Sequence, residues 1–235
     1  MTDTTQMRVM ITGVTGMVGE GVLHECLQSA HVEKVLVLNR RACGVVHPKL
    51  TEVIVADFFT LDGLVEKLRG YNACFFCAGL SSVGLDEAEY RRLTYDLTLH
   101  FAQTLLQLNP GLTFCYISGA GTDSVQKSTL MWARVKGQTE NALLAMPFDN
   151  SYMFRPGYLQ PTKGLKNTKR FYYIIAWMYP ILRRIFPGSM STLRQLGQAM
   201  INVVRFGSKK RVLEVRDIVA LSKHVEIIGA SAKSS

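Results

Sequence analysis

Three glycines close to the amino terminus, Gly13, Gly16 and Gly19, lie between a short apolar run and a segment with helical hydrophobic spacing. Gly13 permits a sharp turn, Gly16 lets backbone N–H groups approach a pyrophosphate, and Gly19 lets the helix pack close to the sheet. The positive amino-terminal end of the helix also attracts phosphates. Glycine turns can be purely structural, but this strand–turn–helix context favours dinucleotide binding. The predicted contacts are Thr12, Gly13, Thr15, Gly16, Met17, Val18 and Gly19.

The end of the second predicted strand, Asn39-Arg40-Arg41, indicates which dinucleotide binds. NAD sites usually place an acidic residue there to bond the ribose 2′-hydroxyl, whereas NADP sites place a cation for the 2′-phosphate. The sequence has no acidic residue at this point. Arg40 can pair with a phosphate while lying along the adenine, and Arg41 can add charge. The alternative is a solvated loop of two arginines. We predict NADP(H) as the favoured cofactor, with NAD(H) as the second choice.

The elements that position these residues alternate between strand and helix patterns over the first 159 residues. Apolar runs predict strands at residues 8–12, 34–39, 52–57, 73–78, 112–118 and 151–155. Helical spacing predicts helices at residues 17–30, 61–68, 86–108 and 128–145. Repeated β-α-β units with right-handed crossovers imply a Rossmann-like, doubly wound parallel α/β sheet. We predict this core over residues 1–160 and a small helical C-terminal cap over residues 161–235, in the same compact unit.

The charges are divided unevenly along the chain. The formal net charge is +9, yet of 18 acidic side chains only Glu214, Asp217 and Glu226 lie beyond residue 150. A basic run at residues 163–170 precedes an aromatic, apolar stretch at residues 171–186, which is shorter than the about 20 residues that a membrane span needs. A helix at residues 192–206 and a short strand at residues 211–215 follow.

Three functional interpretations of this basic region stay open. It can form the wall of a pocket for a small, anionic substrate, contact an anionic membrane surface, or bind a protein partner. Nucleic acid is disfavoured, because the sequence has no recognised nucleic-acid motif. The structural alternative is that the aromatic residues pack into the core and the lysines are solvated.

The composition, 48% hydrophobic and 19% charged, excludes a disordered, collagen-like or disulfide-scaffold protein. Cys74 and Cys77 have the C-x-x-C spacing of redox or zinc motifs, but they lie in an apolar strand, so we predict buried thiols. None of the five histidines pairs with cysteine or histidine at metal-ligand spacing, and we predict no metal site. The amino terminus lacks the pattern of a secretory signal, which together with the cysteine usage predicts a cytoplasmic location.

Several of these motifs together resemble the short-chain dehydrogenase/reductase superfamily. Within it, the sequence is most similar to the atypical, epimerase-like branch that includes Tat-interacting oxidoreductase-like and NmrA-like proteins. The resemblance covers residues 7–160. The residues that carry it are the turn at residues 12–19, Asn39-Arg40-Arg41, Asp57, Ala78-Gly79, Val135-Lys136-Gly137 and Phe154-Arg155-Pro156-Gly157.

The resemblance implies a role for each matching position. Asp57 and Phe58 would flank the adenine, Ala78 and Gly79 would line the cofactor, and Pro156 and Gly157 would approach the nicotinamide. Lys136 would bond the nicotinamide ribose. Catalysis in the family uses a serine and a Tyr-x-x-x-Lys pair, in which the lysine lowers the phenol pKa and the phenol transfers a proton while hydride moves.

The sequence departs from this catalytic pattern at two positions. Trp132 stands four residues before Lys136, where the family has tyrosine, and an indole cannot act as an acid or base near neutral pH. The family serine falls on Gly119, and Ser118 lies one position early. Tyr158 is a candidate replacement that could supply a proton near the nicotinamide, although tyrosines more often only pack and bond. The candidate catalytic residues are Lys136, Ser118 and Tyr158.

Two classes of function follow. The first is an NADP-dependent oxidoreductase or epimerase-like enzyme with a degenerate active site, acting on a small carbonyl, hydroxyl or sugar-like compound. The second is a non-catalytic NADP(H)-binding sensor or interaction protein. Loss of general acid–base catalysis costs about 10²–10⁴-fold in rate. The departures at Trp132 and Gly119 therefore favour the non-catalytic class, whereas the family resemblance favours the enzyme.

Overall fold

The computed structural model describes residues 6–167, 184 and 188–224. The strands are β1 Met7–Thr12, β2 Val32–Asn39, β3 Leu50–Ile54, β4 Ala73–Phe76, β5 Thr113–Ile117, β6 Asn150–Arg155, β7 Tyr158–Gln160, β8 Met190–Thr192 and β9 Val212–Glu214. The α-helices are α1 Met17–Gln28, α2 Val65–Leu68, α3 Glu87–Arg91, α4 Leu97–Leu108, α5 Met131–Ala145, α6 Leu193–Phe206 and α7 Val215–Leu221. A 3₁₀ turn, Asp62–Leu64, precedes α2, and a π-helical turn, Arg92–Asp96, joins α3 to α4.

Seven strands form one parallel sheet in the order β3-β2-β1-β4-β5-β6-β9. The chain winds from β1 outward to β3, then returns to the other side of β1 and continues from β4 to β9. This doubly wound arrangement confirms the predicted Rossmann-like fold. In such a sheet the loops that follow the carboxyl ends of the strands meet at one edge, and the crevice there lies at the point where the strand order reverses.

Both faces of the sheet are covered, which explains the almost continuously apolar strands. Val9 and Ile11 belong to a buried cluster with residues of α1 and α6 on one face. Met10, between them, belongs to a cluster on the other face, because successive side chains of a strand point to opposite sides. In that second cluster the ring of Phe76 lies 5.6 Å from the ring of Phe101 on α4.

Helices α1 and α6 approach each other closely where glycines replace side chains. A Cβ atom at Gly197 of α6 would lie 2.7 Å from the Cβ of Glu25 on α1. A Cβ atom at Gly21 of α1 would lie 3.0 Å from the Leu193 side chain. A capping box starts α6: the hydroxyl of Thr192 accepts from the Gln195 N–H at 3.0 Å, and the Gln195 side chain accepts from the Thr192 N–H at 3.1 Å.

The carboxyl-terminal part continues the core sheet. The predicted helix at residues 192–206 is α6, and the strand predicted at residues 211–215 contains β9, which pairs with β6 as the seventh strand. Strand β8 pairs with β7 in a separate two-stranded sheet. The predicted basic run is described as far as Asn167. The predicted aromatic stretch, apart from Arg184, and the end of the chain lie outside the described residues.

In the described part of the chain, every helix is too short or too polar to cross a membrane.

Replacing Gly197 by alanine tests the contact between α1 and α6. We expect a lower free energy of unfolding, because overpacking costs about 1–3 kcal/mol and exceeds the gain in helix propensity, at most about 1 kcal/mol. Urea unfolding followed by circular dichroism measures the change. Gly63→Ala is the control, since among the described residues no atom beyond its own chain neighbours lies within 4 Å of the added Cβ. Equal stability of the two variants would contradict the close helix contact.

Candidate functional site

A cleft of about 850 Å³ opens at the carboxyl edge of the main sheet. It runs from the loop after β3, past the turn after β1, to the residues that follow β5 and β6. Most of the predicted site residues line it. These are Gly13, Thr15, Gly16, Met17, Val18, Gly19, Asn39, Arg40, Asp57, Phe58, Ala78, Gly79, Ser118, Lys136, Pro156 and Gly157. Of the predicted set, Thr12, Arg41 and Tyr158 are not among the lining residues.

The glycine turn has the shape that a pyrophosphate requires. Gly13 has a φ of +72°, and a Cβ atom there would lie 2.6 Å from the backbone N of Ala78. A Cβ atom at Gly19 would lie 2.3 Å from the Gly13 carbonyl oxygen. Gly16 is exposed to the cleft, and its N–H donates to the Gly13 carbonyl at 3.0 Å. The turn therefore presents bare backbone at the amino terminus of α1, which favours a bound phosphate.

Thr12 stabilises the glycine turn through a buried hydrogen bond. Its side chain is fully buried, and its hydroxyl accepts a hydrogen bond from the Ala78 N–H at 3.1 Å. This bond ties the end of β1 to the end of β4 at the position where the strand order reverses. Thr12 therefore acts by holding the turn and the Ala78-Gly79 segment together.

Asn39 also acts mainly within the protein. The Val14 N–H donates to its Oδ1 at 3.1 Å, and its Nδ2 lies 3.3 Å from Glu52 Oε1. The same carboxylate oxygen accepts from the Cys43 N–H at 2.8 Å. Glu52 is an acidic residue near the end of β2 that the sequence did not indicate, because it comes from the neighbouring strand β3. It is engaged with these two groups and does not line the cleft.

The end of the cleft that follows β2 and β3 carries two guanidinium groups. Arg40 lines it directly after β2, whereas Arg41 is exposed and is not among the lining residues. Arg92, the first residue of the π-helical turn, also lines it and lies over the ring of Phe59 at 5.3 Å. Asp57 faces the same end, and its Oδ1 accepts from the Phe59 N–H at 3.0 Å. Sequence reasoning missed Arg92 because a π-turn, which has no sequence signature here, directs it into the cleft.

Lys136 and Ser118 lie together at the opposite end of the cleft. The Nζ of Lys136 donates to the backbone carbonyl of Ser118. The Ser118 hydroxyl is buried, donates to Glu140 Oε1 at 2.5 Å and lies 3.1 Å from the Phe154 carbonyl. The hydroxyl that would bond a substrate oxygen is thus occupied by a carboxylate, whereas the lysine faces the cleft.

The burial of Lys136 lowers the pKa of its ammonium to about 8, and the nearby Glu140 carboxylate only partly opposes this shift. The amine is therefore substantially populated a little above neutral pH, in contrast to an exposed lysine.

Trp132 and Tyr158 lie outside the lining of the cleft. The Trp132 ring packs beside Gly121, where a Cβ atom would lie 3.3 Å from the indole. Tyr158 is the first residue of β7, and its N–H donates to the Ser189 carbonyl at 2.9 Å. Neither residue is among those that line the cleft beside Lys136.

A buried ion pair holds the helix that carries Lys136. Glu140 is fully buried one turn after Lys136, and Arg155 at the end of β6 pairs with it, its Nε donating to Oε1 at 3.0 Å. Arg155 also binds Glu214 at 3.1 Å. The Ser124 hydroxyl lies 3.3 Å from the second Glu140 oxygen. The sequence motif contained Arg155, but its partner could not be identified because Glu140 is distant in sequence and sits on another element.

The two cysteines of the C-x-x-C motif lie in different environments. Cys74 is buried in β4, as predicted, whereas Cys77 is partly exposed and lines the cleft. Burial raises the pKa of both thiols well above the usual range, so the unreactive thiol form dominates at physiological pH.

Removing one partner of the buried pair should destabilise the protein strongly. Arg155→Met leaves the Glu140 carboxylate buried without its ion-pair partner, and we expect a loss of about 3–5 kcal/mol in the free energy of unfolding. Arg8→Met is the matched control, because its partner Glu33 and Arg8 itself are about half exposed, and such pairs contribute about 0–1 kcal/mol. Chemical denaturation of both variants measures the difference. Equal losses of stability in the two variants would contradict a larger contribution from the buried pair.

Comparison with known proteins places this geometry in a family. Residues 9–125, about half of the chain, match the model of the NAD dependent epimerase/dehydratase family. "Protein FMP52-1, mitochondrial" of Scheffersomyces stipitis is 26% identical over 167 residues, which cover 68% of this chain and 73% of that protein. "Protein HTATIP2" of Rattus norvegicus is 28% identical over 153 residues, which cover 64% of this chain and 62% of that protein. The chain thus spans about two thirds of the length of these relatives.

Solved structures agree on the fold. The Bordetella bronchiseptica enzyme WbmF in complex with NAD+ superposes with a TM-score of 0.62 over 92% of this chain and 76% of that chain, at 15% sequence identity. A likeness at this identity establishes the shared architecture alone.

The predicted cytoplasmic location is contradicted by the curated relatives. The FMP52-type proteins of Scheffersomyces stipitis, Emericella nidulans, Meyerozyma guilliermondii and Debaryomyces hansenii are all named mitochondrial. The prediction rested largely on cysteine usage, which separates oxidising from reducing compartments and does not distinguish one reducing compartment from another.

The doubly wound sheet, the glycine turn at its crevice and the matched relatives lead to one assignment. The chain belongs to the atypical, epimerase-like branch of the short-chain dehydrogenase/reductase superfamily, and the family model that it matches is that of the NAD dependent epimerases and dehydratases.

Proposed function

We propose that the protein is an NADP(H)-dependent oxidoreductase that acts on a small carbonyl or hydroxyl compound. The observation that carries the cofactor preference is Arg40, which lines the cleft directly after β2, where an NAD site usually has an acidic residue. Glu52, an acidic residue that contacts this strand end, is bonded to Asn39 and Cys43. Arg92 adds a second positive charge to the same end.

The residues of the cleft fit a nicotinamide dinucleotide. Gly13 and Gly19 leave no room for a Cβ atom, and Gly16 leaves the backbone open towards the cleft. The turn and the amino terminus of α1 would hold the pyrophosphate, Asp57 and Phe58 would flank the adenine, and Pro156-Gly157 would border the nicotinamide. When bound, the cofactor supplies or accepts hydride. The chain itself must orient the substrate and move a proton to or from its oxygen.

The basic segment after β7 favours an anionic substrate. The N–H groups of Lys166 and Asn167 both donate to the Glu20 carboxylate at 2.7 Å, and Glu20 lies in the first turn of α1. The Asn167 side chain reaches the Val14 carbonyl at 3.4 Å. These contacts bring the start of the basic segment beside the phosphate-binding turn, and we propose that the segment contributes to the substrate side of the cleft.

A second candidate function is that of a non-catalytic NADP(H)-binding sensor, in which cofactor occupancy changes the surface offered to a partner. Two observations favour it: Trp132 stands where the family has its tyrosine, and the Ser118 hydroxyl is bonded to Glu140. Incubation with NADPH and a panel of small aldehydes and ketones, followed by absorbance of the reduced nicotinamide, separates the two candidates. Steady oxidation supports the enzyme, and tight binding without turnover supports the sensor.

Arg40→Ala tests the cofactor preference. A hydrogen bond to a charged group contributes about 1.5–3 kcal/mol, so we expect the Kd for NADPH to rise about 10–100-fold while the Kd for NADH changes little. Isothermal titration calorimetry with both cofactors gives the ratio. Arg41→Ala, an exposed arginine outside the cleft, is the control and should leave both values nearly unchanged. An equal loss for NADPH and NADH would refute a role of Arg40 in recognising the 2′-phosphate.

A further inference from the structure

The proposed reaction requires a proton donor, and the described cleft offers few. Five residues of its lining have ionisable side chains: Arg40, Asp57, Cys77, Arg92 and Lys136. A guanidinium is not deprotonated in proteins, which removes the two arginines. The raised pKa of the Cys77 thiol makes it a poor acid.

Asp57 lies at the end of the cleft that is remote from Lys136. It follows β3, whereas Ser118 follows β5 and its carbonyl binds the Nζ of Lys136 from α5. Four strand spacings separate β3 from β5 in the sheet order, which corresponds to roughly 19 Å. Among the described lining residues, this leaves Lys136 as the titratable group beside Pro156 and Gly157.

The contacts of Lys136 leave it able to reach a substrate. Its ammonium has three donors, and one of them binds the Ser118 carbonyl. This bond fixes the position of Nζ at the wall of the cleft and leaves two hydrogens for other acceptors. Glu140, the carboxylate on the same helix, is fully buried and bound by Arg155, which in turn binds Glu214. Glu140 is thereby held away from a tight ion pair with Lys136.

We propose that Lys136 is itself the catalytic acid and base of this site, transferring the proton that a tyrosine transfers elsewhere in the family. This inference rests on the proposed oxidoreductase function. In the reducing direction, the carbonyl carbon receives hydride, two electrons and one hydrogen nucleus, from NADPH. The carbonyl oxygen receives a proton from the Lys136 ammonium. The products are an alcohol, NADP+ and a neutral amine, which takes a proton from water.

The electrostatics of the site support this role. An acid transfers protons most effectively when its pKa is close to the working pH, and burial lowers the pKa of Lys136 to about 8. An exposed lysine would be too weak an acid for the same task. The shift arises from desolvation of the ammonium, and the nearby Glu140 carboxylate opposes it only in part.

A chemical measurement tests the protonation of Lys136 without turnover. Carbamylation by cyanate consumes the neutral amine, and peptide mass spectrometry reports its rate at each lysine as a function of pH. We expect the rate at Lys136 to reach its midpoint near pH 8. A blocked lysine added to the same solution is the control, and its midpoint should lie near the ordinary lysine pKa of 10.5, more than one pH unit higher. Coincident midpoints would overturn the proposal.

Stability gives an independent readout of the same group. Between pH 8 and the ordinary lysine pKa of 10.5, the unfolded chain binds more protons at Lys136 than the native protein does. The free energy of unfolding of the wild type should therefore rise with pH in this window relative to that of Lys136→Met. Below pH 8 the difference between the two proteins should be constant. A difference that falls with pH in the window would contradict the proposal.

The catalytic test uses NADPH with phenanthrenequinone, an activated dicarbonyl, as the probe substrate. We expect kcat for reduction to fall as pH rises through about 8, and Lys136→Arg and Lys136→Met to lose about 10²–10⁴-fold in kcat while still binding NADPH. Lys67 is an exposed lysine on α2 that does not line the cleft, so Lys67→Arg and Lys67→Met are the controls and should keep wild-type kcat. Arginine is the informative replacement, because it retains the positive charge and cannot release a proton.

The possible outcomes separate this proposal from the proposed function. Turnover that survives in Lys136→Arg, or that lacks the decline near pH 8, overturns the role of Lys136 and leaves the oxidoreductase in place. Binding of NADPH without turnover of any carbonyl in the panel overturns the oxidoreductase and the role of Lys136 with it. Loss of both turnover and NADPH binding in Lys136→Arg assigns Lys136 to cofactor binding and overturns its role as the acid.

Discussion

The buried ion pair between Glu140 and Arg155 is the interaction on which the reactive end of the cleft depends. Removing a carboxylate and a guanidinium from water costs several kcal/mol for each ion, and their attraction repays this only when the remaining hydrogen-bonding groups are also satisfied. Here Ser118, Ser124 and Glu214 complete the pair. The network connects α5 to the ends of β5, β6 and β9. One set of bonds therefore fixes the helix that carries Lys136 against the three strands beside it.

The same network explains why the Ser118 hydroxyl is occupied within the protein while Lys136 remains at the wall of the cleft. Ser118 belongs to the shell that satisfies Glu140, so its hydroxyl faces into the protein, and its carbonyl, facing the other way, receives Lys136. A hydroxyl released from Glu140 would leave a buried carboxylate oxygen without one of its donors, at a cost of about 1–3 kcal/mol or more for a charged group. Desolvation has a different effect on Lys136, because it lowers the pKa of the ammonium and makes it a stronger acid.

Local patterns predicted the parts of the structure that depend on neighbours in sequence. The apolar strands, the glycine turn at residues 12–19 and the order of β-α-β units follow from periodicity and from the needs of a phosphate, and the sheet and most of the cleft lining agree with them. The missed residues come from long-range register. Glu52 meets Asn39 because β3 lies beside β2, and Glu140 meets Arg155 across α5 and β6. Arg92 enters the cleft through a π-turn, for which periodicity alone gives no sign.

The replacement of tyrosine by Trp132 is consistent with this view of the site. A phenol four residues before a lysine needs that lysine as a solvated positive neighbour, which lowers the phenol pKa and keeps the ammonium charged. With the indole packed beside Gly121 instead, no phenol shares its charge with Lys136. Burial disfavours the ammonium of Lys136, and Glu140 opposes this only in part. The loss of the usual acid therefore leaves at the same wall a lysine that is a stronger acid than an exposed one.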